Sequence, residues 1–454
     1  MHTAPPKSGP VPIEVVDTTA TEHDDATGEP RLRAVPTAAA PAGLRPVPTD
    51  DQPIRILHVI TRLIVGGAME NTLLTVYGQQ RDPRFDVTLF AGIDLGPEGN
   101  LHDEARRHGT HLVLSPHLTR NIHPWRDVRA LHELVRFMRA GRYHVVHTHS
   151  SKGGIVGRLA ARLAGVPLIV HTLHGLVFHD YQSSWRNRFY IGMKKLCAPF
   201  TDQYISVCEA TRRGALAAGI GSAERNETIF SGMELEPFLS ATGRIPVETA
   251  RRRFGLPTGV PVVGKIARLF HLKGHEQFID MATRLHRERP DVHFLVVGGG
   301  LLENELKAET RARGIDQVVH FAGLLRPEEI PEALVAMDVV VHASLREGIA
   351  RVLPQAYAVG RPAVVFDLDG APEVVEDGRS GFVLPPGDTA GMAERVRELV
   401  DDPERRRAFA AHGRAFVERE FPAARMVERI NALYERHLLA QGLMRQPDDG
   451  DATS

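Results

Sequence analysis

Short apolar runs alternate with stretches of helical spacing along most of this chain, and that alternation leaves it few folds. Ile54–Ile60 is the first run; a loop with Gly66 and Gly67 follows, then apolar positions at helical spacing over 68–79. Runs at 86–91, 111–114, 143–147, 166–170, 203–207 and 226–230 continue the series, with helices predicted over 125–140 and 184–200. After the polar turn Ser231–Glu234 the pattern restarts, with runs at 262–267, 292–297, 318–322, 339–343 and 363–367. Helices are predicted between and after them over 275–287, up to 314, and over 327–337, 390–401, 403–421 and 423–439. Strands apolar on both faces belong in parallel sheets covered by helices on both sides. The expected class is therefore α/β, with two doubly wound parallel domains in succession and a boundary between Gly232 and Pro261.

Residues 1–52 are rich in Pro, Ala, Thr and acids, without sustained periodicity, and are expected to be a disordered tail, as is 441–454. A net charge of -1 gives no global attraction to nucleic acid, and no nucleic-acid partner is expected. No run reaches the roughly 18 apolar residues of a membrane-spanning helix. Cys197 and Cys208 lack metal-ligand spacing; with no signal-like N-terminus, they read as free thiols of a reducing cytosol.

The densest chemistry lies in Ser344–Gly360, SLREGIARVLPQAYAVG, which reads as a loop between the run at 339–343 and a helix marked by Val352, Ala356 and Val359. Amides freed at a helix start attract anions, and Gly348 lets a ligand approach the main chain. Glu347 is then placed to accept from hydroxyls beside a bound phosphate, with Gln355 about two helical turns further on. The plainer alternative is an acid favoured by the helix dipole and an exposed amide. Arg268 and Lys273 flank an earlier strand-to-helix turn, where two cations and a free amide row suit a diphosphate; as surface charges they would be unremarkable. Gly66 and Gly67 offer close backbone approach to a phosphate or an acceptor, although glycine-rich turns are common. Gly298–Gly300 does not complete a dinucleotide motif, because its last glycine position is Glu303. Gly370–Glu373 reads as a loop able to close over a nucleotide.

His147 and His149 share a strand face, and His171 and His174 follow the run at 166–170, so a zinc site has to be weighed. No acidic or cysteine ligand stands at matching spacing, and imidazoles at strand ends serve equally as hydrogen-bonding groups for a polar ligand. No metal is expected, and His174, before Gly175, is the one assigned to the site. Trp185, Phe189, Met193, Leu196 and Phe200 make a helical stripe with Arg186, Arg188, Lys194 and Lys195 around it. Either the stripe faces the core, or 184–200 is a basic amphipathic surface for anionic lipid or a lipid-linked acceptor.

In their order along the chain these residues resemble the GT-B glycosyltransferases of family 4, over roughly 54–440. The resemblance is carried by Gly66–Gly67, HTHSSKGG at 147–154, HTLHG at 171–175, ISVCEATRR at 205–213, the segment Gly264–Gly274 and REGIARVLPQ at 346–355. It implies two facing Rossmann-like domains, 53–240 and 258–421, the first completed by a last helix, 423–440, that crosses back to it. It further implies a nucleotide-diphosphate sugar held chiefly on the second domain, and transfer with retention of anomeric configuration, without metal or other cofactor. Position by position, Arg268 and Lys273 look like the diphosphate clamp, and Glu347 like the sugar-contacting acid, with Gly348 and Ile349 beside it on the donor. His174 would stand beside the transferring sugar, and Gly66–Gly67 would border the acceptor and leaving phosphate. Two positions depart from the family pattern: Gln355 replaces the second glutamate that usually holds the ribose hydroxyls, and Ser231 replaces the common Asn before Gly232. An amide still accepts from a ribose hydroxyl, so the first departure bears on nucleotide affinity more than on activity.

The function so implied is transfer from a nucleotide-sugar donor to a sugar or lipid-linked acceptor, in surface polysaccharide or lipid-linked glycan assembly. The implied location is cytoplasmic, with peripheral contact to the inner membrane face through 184–200. A GT-B sugar-nucleotide epimerase and a non-catalytic sugar-nucleotide-binding protein stand as alternatives, since the fold alone does not settle function.

Overall fold

The computed structural model describes residues 52–93, 99–179 and 181–444; the tails expected to be disordered lie outside them, apart from Gln52 and 441–444. The chain divides into two units, one comprising residues up to Ser206, Gly214–Ile229 and the chain from Val427, the other Val207–Arg213 and Phe230–Met426. Each is built on one parallel sheet.

In the first unit, β1 (Ile54–Ile60), β2 (Phe85–Gly92), β3 (His111–Ser115), β4 (Val145–Thr148), β5 (Leu168–Leu173), β6 (Gln203–Ser206) and β7 (Asn226–Thr228) stand in the order β3-β2-β1-β4-β5-β6-β7. In the second, β8 (Val262–Ile266), β9 (His293–Val297), β10 (Val319–Gly323), β11 (Val339–His342), β12 (Ala363–Phe366) and β13 (Gly381–Leu384) run β10-β9-β8-β11-β12-β13. Every ladder is parallel, as expected for strands apolar on both faces. The order reverses between β1 and β4 and again between β8 and β11. At such a switch point the loops beyond the carboxyl ends of the strands diverge and leave a crevice for a ligand.

Helices His102–Arg107, Glu209–Ala217 and the three short ones between Glu236 and Arg253 were not predicted, and four further elements that bear on the sites differ from the sequence reading. Helix Ser151–Ala164 was not predicted there, because Gly153, Gly154 and Gly157 weaken a helical signal. Here those glycines are what lets the helix lie on the sheet. A Cβ on Gly153 would stand 2.8 Å from the Thr61 amide nitrogen, one on Gly157 2.9 Å from Thr148 Cγ2, and one on Gly154 would collide with the His171 ring. Strand β5 runs on to Leu173, so His171 lies inside it rather than after it. Strand β13, four residues opening on a glycine, gave no apolar run long enough to read. The last difference is that the helix of the Glu347 motif begins only at Val352. Pro354 explains that start: tolerated in a first turn, it would clash with the carbonyl four residues back if the helix began near Gly348.

In the second unit the loop after β8 and the loop after β11 press together. Gly274, the N-cap of helix His275–Glu288, has φ of 67°. A Cβ there would fall on the Ala343 carbonyl oxygen. Leu345 N donates to Leu272 O at 2.9 Å, and Ser344 Oγ to Lys273 O at 3.3 Å. Gly274→Ala has to adopt a left-handed conformation and push one loop off the other, so it should lower stability by about 2–4 kcal/mol. Urea unfolding of the variant, with an unchanged m-value, checks this; an unchanged midpoint would mean the loops are not in contact.

Candidate active site

The two loops joined through Gly274 bring three of the sequence-predicted residues to one place. Lys273 Nζ forms an ion pair with Glu347 Oε1, both side chains partly exposed, while Arg268 is exposed on the same loop with its guanidinium 5.5 Å from the centre of the Phe270 ring. The Glu347 amide donates to Asp369 Oδ2, and Gly370 N donates to the Gly348 carbonyl at 3.0 Å. Buried Gly348 also accepts from Cys208 Sγ at 3.3 Å, and burial pushes that thiol up to about 11. Ile349 is half-buried against the apolar core of the unit.

The expected helix start at Gly348 is therefore a loop, held by Asp369 and Gly370 rather than by a row of free helical amides. Gln355, half-buried, sits about one turn into Val352–Val359, not two turns along a helix from Glu347. Nor does Glu373 lie open for a nucleotide: its two carboxylate oxygens accept from the amides of Glu209 and Ala210, at 2.7 and 2.6 Å.

Sequence reasoning missed Lys265. It is wholly buried on β8, with no hydrogen-bond partner for Nζ among the described residues. Burial, then the Lys273 ammonium, lowers its pKa to about 7, while Glu347 and Glu276 act the other way. A lysine inside an apolar strand is legible as a residue, but its isolation is not.

In the first unit Gly66 is the N-cap of helix Gly67–Gln80 with extended backbone, and a Cβ there would meet only Met69 Sδ, at 3.7 Å. Packing does not demand glycine at 66. The histidines form a buried layer at the carboxyl ends of β1, β4 and β5. His58 Nε2 lies 2.8 Å from Gln79 Oε1, His58 Nδ1 3.0 Å from His149 Nε2, and His149 Nδ1 3.2 Å from half-buried His174 Nε2. His147 bonds to Tyr434 OH at 2.5 Å and to Thr172 Oγ1 at 2.7 Å; His171 bonds to Thr148 Oγ1 at 2.9 Å. His58, His147 and His149 bring nitrogens within 4.8 Å of one another, close enough to share an ion. Those nitrogens are, however, already engaged with each other and with neighbours. Gln79, His58, Asn431 and Tyr434 escaped the sequence reading, since their contacts join distant parts of the chain.

Helix Ser184–Cys197 turns its stripe outward: Trp185 is 66% exposed, Phe189 46% and Leu196 64%, and only Lys194 and Cys197 are buried. The core-facing reading is thus corrected. Burial, then Arg158, lowers the Lys194 pKa to about 7. No helix among the described residues is long and apolar enough to cross a membrane.

Two doubly wound sheets, one carrying a cationic loop tied to an acid at its switch point, define an α/β protein with a place suited to a phosphorylated ligand. Residues 246–416 match the family described as glycosyl transferases group 1, and 67–230 the glycosyl transferase 4-like domain. The Escherichia coli UDP-Gal:alpha-D-GlcNAc-diphosphoundecaprenol alpha-1,3-galactosyltransferase is 28% identical over 77% of this chain and 88% of its own. The GDP-mannose-dependent monoacylated alpha-(1-6)-phosphatidylinositol monomannoside mannosyltransferase of Corynebacterium glutamicum is 30% identical over 61% of this chain and 72% of its own. Anabaena HepE, solved in complex with UDP-glucose, shares the fold with a TM-score of 0.70 at 23% identity, over 84% of this chain and 100% of its own. The chain belongs to the GT-B glycosyltransferases of family 4. It is a glycosyltransferase that moves a sugar from a nucleotide donor to an acceptor.

The histidine layer sets an acid limit on stability. Burial, opposed by the bond to Gln79, lowers the His58 pKa to about 4; burial, then Lys194, does the same for His174. Burial holds His147, His149 and His171 well below the ordinary value, helped by neighbouring rings and, for His171, by Arg158 and Lys194. The unfolded chain, with histidines at 6.5, then binds more protons than the folded one. The stability these rings contribute is complete above about pH 6.5 and is lost as pH falls toward about 4. For His58 alone the loss by pH 5 is about 2 kcal/mol. Urea midpoints should fall between pH 7 and 5, before carboxylates titrate; a flat profile there would show the rings are not buried neutral.

Proposed function

We propose that this protein transfers a hexose from a nucleoside-diphosphate sugar to a lipid-linked glycan acceptor, with retention of anomeric configuration and without a metal or other cofactor. Acting at the cytoplasmic face of the inner membrane, it would build surface polysaccharide or a lipid-linked glycan. The observation that carries this reading is the Lys273–Glu347 pair on two interlocked loops at the β8/β11 switch point, with Arg268 on the same turn.

Each residue has a role that follows from its chemistry. A diphosphate offers Lys273 more negative charge than one carboxylate does, so donor binding draws Lys273 from Glu347 and releases that acid to the sugar hydroxyls. Gly348 and Ile349 hold the main chain beside the sugar. As the sugar leaves, charge grows on the nucleoside diphosphate, and Arg268 and Lys273 stabilise it where other transferases use a cation. Gln355 accepts from the ribose. His174 touches the sugar, and Gly66–Gly67 leave room for the acceptor and the leaving phosphate.

The acceptor class rests on the named substrates of the Escherichia coli and Corynebacterium relatives, both lipid-linked. The UDP-glucose held by HepE supports a UDP-sugar as the first donor to try. Solvent-facing Trp185, Phe189 and Leu196, with Arg186, Arg188 and Lys195 on the same helix, support peripheral contact with anionic lipid.

The test is transfer from a panel of nucleotide sugars to a polyprenyl-diphosphate-linked amino sugar, with the product anomer read by NMR. An α-linked product from an α-linked donor, formed equally well in EDTA, is expected. A β-linked product overturns retention, and activity abolished by EDTA and restored by Mg²⁺ overturns metal independence. Lys273→Ala should lower turnover at saturating donor by about 2–4 kcal/mol, whereas Gln355→Ala should raise the donor KM and leave kcat within a few-fold. An unchanged rate in Lys273→Ala would make that lysine a surface charge. For the lipid contact, Trp185→Ala with Phe189→Ala should reduce sedimentation with phosphatidylglycerol vesicles about tenfold or more. Equal binding by the double variant would remove this helix from the membrane surface.

A further inference from the structure

The bonds of the histidine layer run in one direction. We propose that Gln79, His58 and His149 are positioning residues that decide which nitrogen of His174 carries its proton, leaving Nδ1 as a bare acceptor for a hydroxyl of the donor sugar. This deepens the reading of His174 as the sugar-contacting residue and rests on it.

The direction starts at an amide. Gln79 Nε2 donates to Asn431 Oδ1 at 2.9 Å, which turns the Gln79 oxygen toward His58 Nε2, 2.8 Å away. A carbonyl oxygen only accepts, so Nε2 of His58 carries the hydrogen. A neutral imidazole has one N–H. His58 Nδ1 is therefore an acceptor, and His149 Nε2, 3.0 Å from it, must donate. The same step repeats: His149 Nδ1 accepts from His174 Nε2 at 3.2 Å. His174 is left with an unprotonated Nδ1 that has no bond among the described residues.

Burial enforces the neutral state on which this logic depends. His58 and His149 are fully buried, among the described residues no carboxylate bonds to His58, His149 or His174, and the charges acting on the layer, Lys194 and Arg158, are cations that disfavour a second proton. The rings are also stacked, His58 on His149 at 17° with centroids 5.3 Å apart, so neither can turn to swap its nitrogens without breaking the packing. His147 is a side branch. Its partners, Tyr434 OH and Thr172 Oγ1, are hydroxyls that donate or accept equally, so it imposes no direction. A divalent cation shared by His58, His147 and His149 is the competing occupant. Both nitrogens of each of these three rings are already bonded within the layer or to Gln79, Tyr434 and Thr172, so ligation would have to break such bonds.

The consequence is chemical. An Nδ1 that only accepts grips a hydroxyl through its hydrogen and fixes that hydroxyl's orientation, whereas the other tautomer would grip it through an oxygen lone pair. A mixture of the two would bind the donor in two poses, one of them unproductive.

Histidine-labelled protein, with signals assigned by single replacements, reports ring tautomers directly in long-range ¹H–¹⁵N NMR at pH 7.5. His58, His149 and His174 are each expected to be protonated on Nε2 and bare on Nδ1. Protonation of His174 on Nδ1, or a charged ring, overturns the proposal whatever the activity. Gln79→Met keeps the volume and removes the acceptor; His174 should then populate both tautomers, with kcat lowered to the fraction that keeps Nδ1 bare, about twofold for an equal mixture, and donor KM nearly unchanged. Thr172→Val removes a bond from the side branch and should leave both readouts as in the wild type. If Gln79→Met keeps a single His174 tautomer, or Thr172→Val disturbs His174 as much, the chain is packing and not positioning. Should Gln79→Met fail to fold, the wild-type spectrum decides alone. One equivalent of Zn²⁺ should leave the ring signals in place; stoichiometric binding that shifts His58, His147 and His149 together makes the layer a metal site and overturns the proposal. A silent His174→Ala in the transfer assay, with the expected tautomers present, would remove His174 from the sugar contact while leaving the direction of the chain intact.

Discussion

The candidate site depends on a steric contact before it depends on any charge. With no side chain at Gly274, the Ala343 carbonyl can sit where a Cβ would be, and the bonds from Leu345 and Ser344 then lock the two loops together. The Lys273–Glu347 pair is a result of that contact. Its side chains are 19% and 30% exposed, and a pair so open to water contributes at most about 1 kcal/mol. Left-handed backbone and close packing at Gly274 are worth several times as much. The loops therefore hold without the ion pair, and Lys273 can change partners without disturbing the site around it.

The first unit solves a different problem, that of burying polar rings without charge. Each imidazole of the Gln79–His58–His149 run has both nitrogens bonded, and an unsatisfied one would cost about 1–3 kcal/mol. Closing the layer takes groups from the end of the chain. Asn431 holds Gln79, Tyr434 holds His147, and the Val427 methyls fill the space against Gly78 that a larger residue would occupy. The residues of helix Ala423–Ala440 from Val427 onward belong to the first unit for that reason. Because Gln79 and His147 are satisfied by groups of this helix, the polar layer ties the helix to the sheet as specifically as an apolar core would.

Most strands were legible because a parallel strand covered on both faces is an apolar run, and such runs need no knowledge of their neighbours. The elements that escaped are those whose residues answer to distant partners. Gly153, Gly154 and Gly157 look like helix breakers in sequence and serve as the clearance for a helix against Thr61, His171 and Thr148. Pro354 carried the start of its helix in plain view, but the spacing of Val352, Ala356 and Val359 fits either start. Among the site residues, Arg268, Lys273 and Glu347 were readable as charges at strand-to-helix turns. The link between Lys273 and Glu347, 74 residues apart, was not, and neither was the isolation of Lys265. The histidines announced themselves, but the amide that orients them is bonded across 352 residues.

The replacement of a glutamate by Gln355 gains meaning from what the neighbouring acids already do. Glu347 is paired with Lys273, Asp369 holds the Glu347 amide, and Glu373 caps the amides of Glu209 and Ala210. Before the donor binds, every one of these carboxylates is committed to a hydrogen-bond donor within its own unit, and Glu347, once released, is taken up by the sugar hydroxyls, so each subtracts less from the positive field of the Arg268–Lys273 turn than an unpaired acid would. A nucleoside diphosphate brings its own negative charges, and a second unpaired carboxylate near them would oppose binding over a distance that water only partly screens. An amide at 355 avoids that opposition and keeps an oxygen for a ribose hydroxyl, but it accepts more weakly than a carboxylate. The exchange trades strength in one hydrogen bond for a more positive site around the phosphates.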